Sequence, residues 1–266
     1  MTSPSQNPDT SRIIPEEAGG VTTDCELLAH CKVQCGKDEY VHVSRFLVDK
    51  KDIKYITVRC TNFEFDYPPF PLGDWNVGQI KDCPQTGEPI FTYTESRAFV
   101  GVSNVWHPTT IEYSELSVIN WITSEGLVKD NVALVTHPLL EKPAIMKIAV
   151  LPDHFEAMER ETKAQQLIHG KDIGPKFLGH VAESGRVIGF LSESIEGAVE
   201  MDPSSSDACF EALTRLHTLG IFHGDVHPGN FLCKGDKVLI IDFEYARFNP
   251  TEKDFELDIH LFNNWL

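Results

Sequence analysis

One stretch constrains this chain more than any other: His223-Gly224-Asp225-Val226-His227-Pro228-Gly229-Asn230, running into Phe231-Leu232 and then, past Lys234-Gly235-Asp236-Lys237, into Val238-Leu239-Ile240-Ile241-Asp242-Phe243-Glu244. Gly224, Pro228 and Gly229 break helical and ladder patterns, so the first part reads as a loop. The apolar runs on either side of Lys234–Lys237 read as the two strands of a hairpin, with Asp236 as a turn residue. A hairpin returns its second strand to where its first began. Asp242 is thereby delivered beside Asn230, and one loop and one strand end bring Asp225, Asn230 and Asp242 together.

Those three side chains suit one kind of chemistry. Moving a phosphoryl group from ATP needs a carboxylate to orient the attacking hydroxyl, and oxygen ligands to hold Mg²⁺ where charge spreads over the phosphates. Asp225 fits the first task. Asn230 and Asp242 fit the second, because Mg²⁺ binds through one or two carboxylates together with substrate phosphates. Taken singly, each has a local use: Asp225 as a turn former, Asn230 as a cap, Asp242 as a polar strand end. The joint pattern is more specific, with His223 just before Asp225, an apolar run before Asp242 and Phe243 after it. His223 and His227, with His217 nearby, also have metal-ligand spacing, but zinc pairs of that spacing sit on helices and these lie in a broken loop.

Upstream, Ala144-Ile145-Met146-Lys147-Ile148-Ala149-Val150 places Ile145, Lys147 and Ala149 on one face of a strand. An inward lysine is costly unless paired; an edge-strand lysine with its head in water is the plainer alternative. A helix follows, with Asp153 as N-cap, Glu156 completing a capping box and Gly170 at its end. Glu161 shares the apolar face of that helix with Met158 and Ile168, whereas Glu159 points nearly the opposite way. Glu161 is therefore the inward-facing carboxylate of that helix, against the alternative of a solvated helix carboxylate. Lys176–Val181 and Arg186–Leu191 read as strands around a Glu183-Ser184-Gly185 turn, followed by Ser192-Glu193-Ser194-Ile195-Glu196-Gly197. Phe210, Leu213, Leu216 and His217 lie at helical spacing in a segment that ends at Gly220 and runs straight into His223.

These motifs resemble the protein-kinase-like superfamily, in particular its small-molecule branch of aminoglycoside phosphotransferases and choline kinases. Ile241-Asp242-Phe243-Glu244-Tyr245-Ala246 and the later Asp258-Ile259-His260 are similar to the choline/ethanolamine kinase version. His223-Gly224 and Gly229-Asn230 fit aminoglycoside phosphotransferases equally well, so the acceptor stays open. The resemblance implies an α+β, two-lobed kinase-like fold that uses ATP and Mg²⁺ and transfers phosphate to a small-molecule or protein hydroxyl. Asp225 and Asn230 would form the catalytic pair, with His223 supporting the loop from behind. Asn230 and Asp242 would hold metal. Lys147, anchored by Glu161, would hold the phosphates, with Ile145 and the hinge residue Glu193 beside the nucleotide. Glu244 would add a further contact at the metal.

Some features depart from that pattern. No glycine-rich phosphate cover is recognisable, since Trp121–Val135 contains only Gly126. Gly224 stands where many regulated protein kinases carry an arginine for a phosphorylated loop, which argues against switching by that route. Only 24 residues follow Asp242, so the C-terminal lobe reads as minimal or the chain as truncated. A protein serine/threonine kinase and a weakly active pseudokinase, serving as a nucleotide-binding or scaffold module, are the alternatives.

The net charge of −17 disfavours a nucleic-acid groove or an anionic membrane as partner, and no apolar run reaches the roughly 18 residues of a membrane span. The N-terminus lacks the basic and apolar regions of a secretory signal, which points to a cytoplasmic or nuclear setting. Seven cysteines, an odd number without paired Cys-x-x-Cys units, read as free thiols. The expected organisation is a disordered tail over 1–20, a β-rich N-terminal extension over 21–115, a kinase-like N-lobe over 116–197 and a short C-lobe over 198–266 that carries the catalytic loop. Within the extension, Val41–Val48, Ile53–Val58 and Ala98–Trp106 read as strands. Trp75 and Trp106-His107-Pro108 read as packing residues, with a docking surface as the alternative. The combination of extension and short core resembles uncharacterised fungal proteins with a kinase-like domain.

Overall fold

A computed structural model of the chain describes residues 20–34, 40–59, 66–124, 127–150 and 154–265. Apart from Gly20, the expected N-terminal tail lies outside the described residues, as do Gly126 and the Pro152-Asp153 helix start. The chain divides into two compact units, residues 1–99 and 100–266.

The first unit is a mainly antiparallel sheet. Its elements are β1 (Val21–Thr22), β2 (Cys25–Gln34), β3 (Tyr40–Val48), β4 (Asp52–Arg59), β5 (Phe70–Pro71), β6 (Val77–Asp82) and β7 (Pro89–Glu95), with a five-stranded order β2-β3-β4-β6-β7. Alternation along β3 and β4 puts Phe46, Val48, Ile56 and Val58 on one face, where they pack with Phe70, Trp75 and Ile80. Lys54 falls on that buried face too. Its ammonium donates to the Trp75 and Gly73 carbonyls at 2.6 and 3.3 Å and lies 4.0 Å above the Trp75 ring. Trp75 itself is buried and donates its indole N–H to the Pro71 carbonyl at 2.8 Å, so it is a core residue.

The second unit begins with β8 (Thr110–Glu112), β9 (Ser117–Ser124), β10 (Leu127–Thr136) and β11 (Ala144–Ile148), followed by helix α1 (His154–Ile168), β12 (Phe177–Glu183) and β13 (Arg186–Glu193). These strands form one sheet in the order β8-β12-β13-β11-β10-β9. Residues 100–115 fold with this unit, because β8 pairs in parallel with β12 through His180↔Thr110 and Val181↔Ile111. The expected strand over Ala98–Trp106 is absent: the segment is irregular. Its amides bond elsewhere. Val102 N–H goes to the Val187 carbonyl, while the Ser103 and Asn104 amides go to the Glu159 carboxylate at 2.7 and 3.0 Å. Trp106 packs half-buried against Phe177, with ring centroids 4.6 Å apart.

The remainder is α2 (Ser206–Thr218), β14 (Ile221–Phe222), a 3₁₀ turn at Pro228–Asn230, the hairpin β15 (Phe231–Lys234) and β16 (Lys237–Ile240), β17 (Arg247–Phe248) and α3 (Glu252–Asn263). Helix α2 buries Cys209, Ala212, Leu213 and Leu216, so its inward stripe runs beside Phe210, which is partly exposed and touches Phe262. Those residues join Phe231, Ile240, Phe243 and Phe262 in one core beside the loop over 223–230. Cys209 and Cys233 are free thiols 3.6 Å apart in that core, and burial pushes Cys209 up to about 12. Among the described residues, no helix is long and apolar enough to cross a membrane.

Candidate active site

The hairpin returns Asp242 to the loop as its spacing predicts. Phe231 pairs with Ile240, and the Ile241 amide donates to the Asn230 carbonyl at 3.0 Å. Two residues past the end of β16, Asp242 adopts φ +65, a left-handed backbone that Asp tolerates better than most residues. On the sheet side, β11 lies antiparallel to β13 with Lys147 opposite Phe190. The two strands come so close that a Cβ on Gly189 would lie 2.1 Å from the Lys147 carbonyl oxygen.

Lys147 is buried, and its Nζ lies 2.7 Å from Glu161, 2.9 Å from Asp242 and 2.9 Å from Glu244. Burial alone would favour loss of its proton, but the three carboxylates outweigh burial and hold the ammonium firmly protonated. Glu161 is more deeply buried, at 2% exposure. Burial raises its carboxyl above the ordinary range against the pull of Lys147, and the carboxylates of Asp242 and Glu244 add to the rise. Glu159, on the other side of α1, holds the Ser103–Asn104 loop instead. Arg160 ties α1 to the segment after Asp242 by donating from Nε to the Glu244 carbonyl at 2.7 Å.

Beside Lys147 opens a cavity of about 300 Å³ whose wall includes Ile145, Phe190, Ser192, Glu193, Ile241 and Asp242. Ile145, Lys147, Glu161, Glu193 and Asp242 thus border one space.

In the loop, the Asn230 amide donates to the Asp225 carbonyl at 2.8 Å and, more weakly, to its Oδ2 at 3.3 Å. A carbonyl only accepts, so the NH₂ end of Asn230 must face Asp225 and its Oδ1 must face away. His227 accepts the Gly229 N–H on Nδ1 at 3.1 Å, which leaves its Nε2–H directed toward Asp225 Oδ2, 3.7 Å away. His223 is buried behind the loop. Its Nδ1 accepts the Asp225 amide at 3.2 Å and its Nε2 donates to the Ile241 carbonyl at 3.0 Å. Those bonds require the neutral ring, and burial lowers its pKa accordingly. His223 touches the Asp225 backbone on one side and the Ile241 backbone, next to Asp242, on the other.

Asp258, whose position sequence reasoning noted without a role, organises this loop. Fully buried, it accepts the His223 and Gly224 amides at 2.8 and 3.0 Å and the His217 Nε2–H at 2.9 Å. Gly224 has φ +83, and a Cβ there would lie 2.7 Å from the Tyr245 carbonyl. Its side-chain space is filled by the chain that follows Glu244. The signal for Asp258 was its place on α3 among apolar residues, where an unpaired carboxylate would be costly. Nothing in the local sequence of Arg160 or Glu244 announced their contacts, which join residues 84 and 97 positions apart.

A family model described as the phosphotransferase enzyme family matches residues 196–257. A probable bifunctional tRNA threonylcarbamoyladenosine biosynthesis protein of Methanothermobacter thermautotrophicus is 41% identical over 134 residues, covering 47% of this chain and 25% of that protein. A probable serine/threonine-protein kinase BUD32 homolog of Archaeoglobus fulgidus is 30% identical over 86 residues, covering 28% of this chain and 44% of that protein. The chain spans less than half the length of these relatives. The matches support a kinase-like phosphotransferase within the protein-kinase-like superfamily, and the mixed α/β architecture is compatible with that fold.

Proposed function

We propose that this chain is an ATP- and Mg²⁺-dependent phosphotransferase whose acceptor is a hydroxyl. The observation that carries the reading is the cage around Lys147: a buried ammonium between Glu161 and Asp242, at the edge of a cavity of about 300 Å³. That volume lies at the lower end of the range for small-molecule sites. Ile145 and Phe190 offer apolar contact to a base, and the backbone around Glu193 offers polar contact.

The residues present fit a divalent cation. One ammonium faces three carboxyl groups within 4.8 Å of one another, so the cluster carries excess negative charge. Asn230 spends its NH₂ on Asp225 and keeps Oδ1 for a cation. Asp242 and Asn230 would hold Mg²⁺, with Glu244 close by. The ion, when bound, neutralises charge on the transferring phosphate.

The chain's own groups do the rest. Lys147 offers a fixed positive charge to phosphate oxygens, and Glu161 keeps it from swinging away. Asp225, with a half-exposed carboxylate, accepts the hydrogen bond of the acceptor hydroxyl and aligns it for attack. His223 and Asp258 hold the backbone of Asp225 in place and touch no substrate. The likeness to a probable serine/threonine-protein kinase favours a protein hydroxyl as the second acceptor class.

Labelled ATP and Mg²⁺, supplied with choline, aminoglycosides or generic protein acceptors, test this. Asp225→Ala is expected to cut transfer by about 10² to 10⁴, and Asp242→Ala to abolish it. Transfer unaffected by Asp225→Ala would sink the mechanism. No transfer by the wild type, with Mg²⁺-ATP still raising its melting temperature, would replace the enzyme by a nucleotide-binding module.

A further inference from the structure

The first unit contains a group of side chains that phosphoryl transfer does not use. His30 on β2 and His42 on β3 face each other with Nε2 and Nδ1 2.7 Å apart and ring centroids 4.8 Å apart. The opposite nitrogen of His30 lies 2.8 Å from the Ser44 hydroxyl, which is 2.7 Å from the Tyr67 hydroxyl. Ser44 is completely buried, whereas His30 is exposed. From these contacts the geometry points to a binding site for a divalent transition metal of the copper(II) or nickel(II) type.

Register explains how the pair forms. His30 is directly opposite Ser44 and Lys32 is opposite His42, so His30 and His42 are diagonal neighbours on the same face of two antiparallel strands. Such neighbours are within reach of ring side chains. Only one proton fits between two imidazole nitrogens at this distance, and a cation bound by both rings takes its place.

The spacing of the two rings also bears on the metal geometry. At about 2.0–2.1 Å per metal–nitrogen bond, two ligands at a right angle have nitrogens about 2.9 Å apart, and two at a tetrahedral angle about 3.3 Å apart. The 2.7 Å of the hydrogen-bonded pair has to open less to reach the right-angled pair than the tetrahedral one, and the right-angled pair is the arrangement of adjacent ligands in tetragonal copper(II) or nickel(II). The support behind the ring fits as well. Metal-binding histidines donate their second N–H to a fixed acceptor, and Ser44, buried and bonded to Tyr67, provides one for His30 Nδ1. With Nδ1 protonated, His30 Nε2 carries the ring's lone pair, which faces His42 Nδ1 across the shared proton that a cation would displace.

Copper(II) titration of the full chain, with any polyhistidine tag removed, tests the site by calorimetry and electron paramagnetic resonance. The wild type should bind one copper ion with two histidine nitrogens in its equatorial plane, more tightly than zinc(II). His30→Ala and His42→Gln should each weaken copper binding at least about tenfold. His42→Gln retains a hydrogen-bonding side chain and serves if His30→Ala does not fold. Asp242→Ala, which alters the other cation-attracting cluster, should bind copper like the wild type. Equal copper affinity in the wild type and the folded histidine variants, or a wild-type spectrum without histidine nitrogen, overturns the site. So does loss of copper binding in Asp242→Ala.

Discussion

Asp258→Asn is the sharpest test of how this fold holds the loop that carries Asp225. The carboxylate accepts three hydrogen bonds: the His223 amide and His217 Nε2–H on Oδ2, at 2.8 and 2.9 Å, and the Gly224 amide on Oδ1, at 3.0 Å. Asparagine has one acceptor oxygen. In its better orientation it keeps the two bonds on the Oδ2 side, turns its NH₂ toward the Gly224 amide and leaves two buried donors face to face. The loss combines one bond to a charged acceptor, about 1.5–3 kcal/mol, with the burial of unsatisfied donors, about 1–3 kcal/mol. The other two bonds weaken as their acceptor becomes neutral. A total of about 3–5 kcal/mol follows, or a fall of about 10 °C in melting temperature for a unit of this size. Thermal denaturation measures the first consequence, and hydrogen exchange at the His223 and Gly224 amides the second. Exchange there should accelerate more than in β12 or β13. Glu256→Gln, on the exposed side of the same helix, should leave both unchanged. If Asp258→Asn melts within about 2 °C of the wild type with protected amides, the carboxylate does not support the loop and the reasoning fails.

Gly224→Ala, with φ +83 and a Cβ 2.7 Å from the Tyr245 carbonyl, should destabilise the unit by at least about 1–3 kcal/mol in denaturant titration; a variant as stable as the wild type would mean the loop yields freely. Gly189→Ala, with its Cβ 2.1 Å from the Lys147 carbonyl, should part β11 from β13 and weaken Mg²⁺-ATP binding, measured by calorimetry. The pH dependence of stability should carry the mark of His180, which is fully buried, accepts the His107 N–H on Nε2 and is lowered by burial to about 4. Between about pH 6.5, its unfolded value, and about 4 the unfolded chain binds the extra proton, so stability falls as pH falls through that window. Melts at pH 7 and 5 should show a loss of up to about 2 kcal/mol that is smaller in His180→Leu; identical slopes would refute the assignment.

Local chemistry was the most legible part of the chain. The hairpin, the broken loop and the convergence of Asp225, Asn230 and Asp242 follow from where Gly, Pro and apolar runs stand, because those residues restrict the backbone within a few positions. Periodicity also separated Glu161 from Glu159, since 100° per residue assigns helix faces without knowledge of what they face. The irregular Ala98–Trp106 segment was not legible. Its apolar content resembles a strand, but its Ser103 and Asn104 amides are satisfied by Glu159, a side chain more than fifty positions away.

What the sequence determined by itself is the set of reactive groups and their local order: a lysine on a strand, a carboxylate on the following helix face, and an acid-amide-acid triplet on a loop and hairpin. Only the tertiary structure decided how those groups are charged and held. Lys147 meets three carboxylates, Asp258 reaches back to the loop from α3, and the His30–His42 pair forms across two strands. Each is a contact between residues distant in the chain, and its energy depends on burial and on ångström-scale distance. Neither quantity is written in local sequence; both arise when separate elements pack against one another.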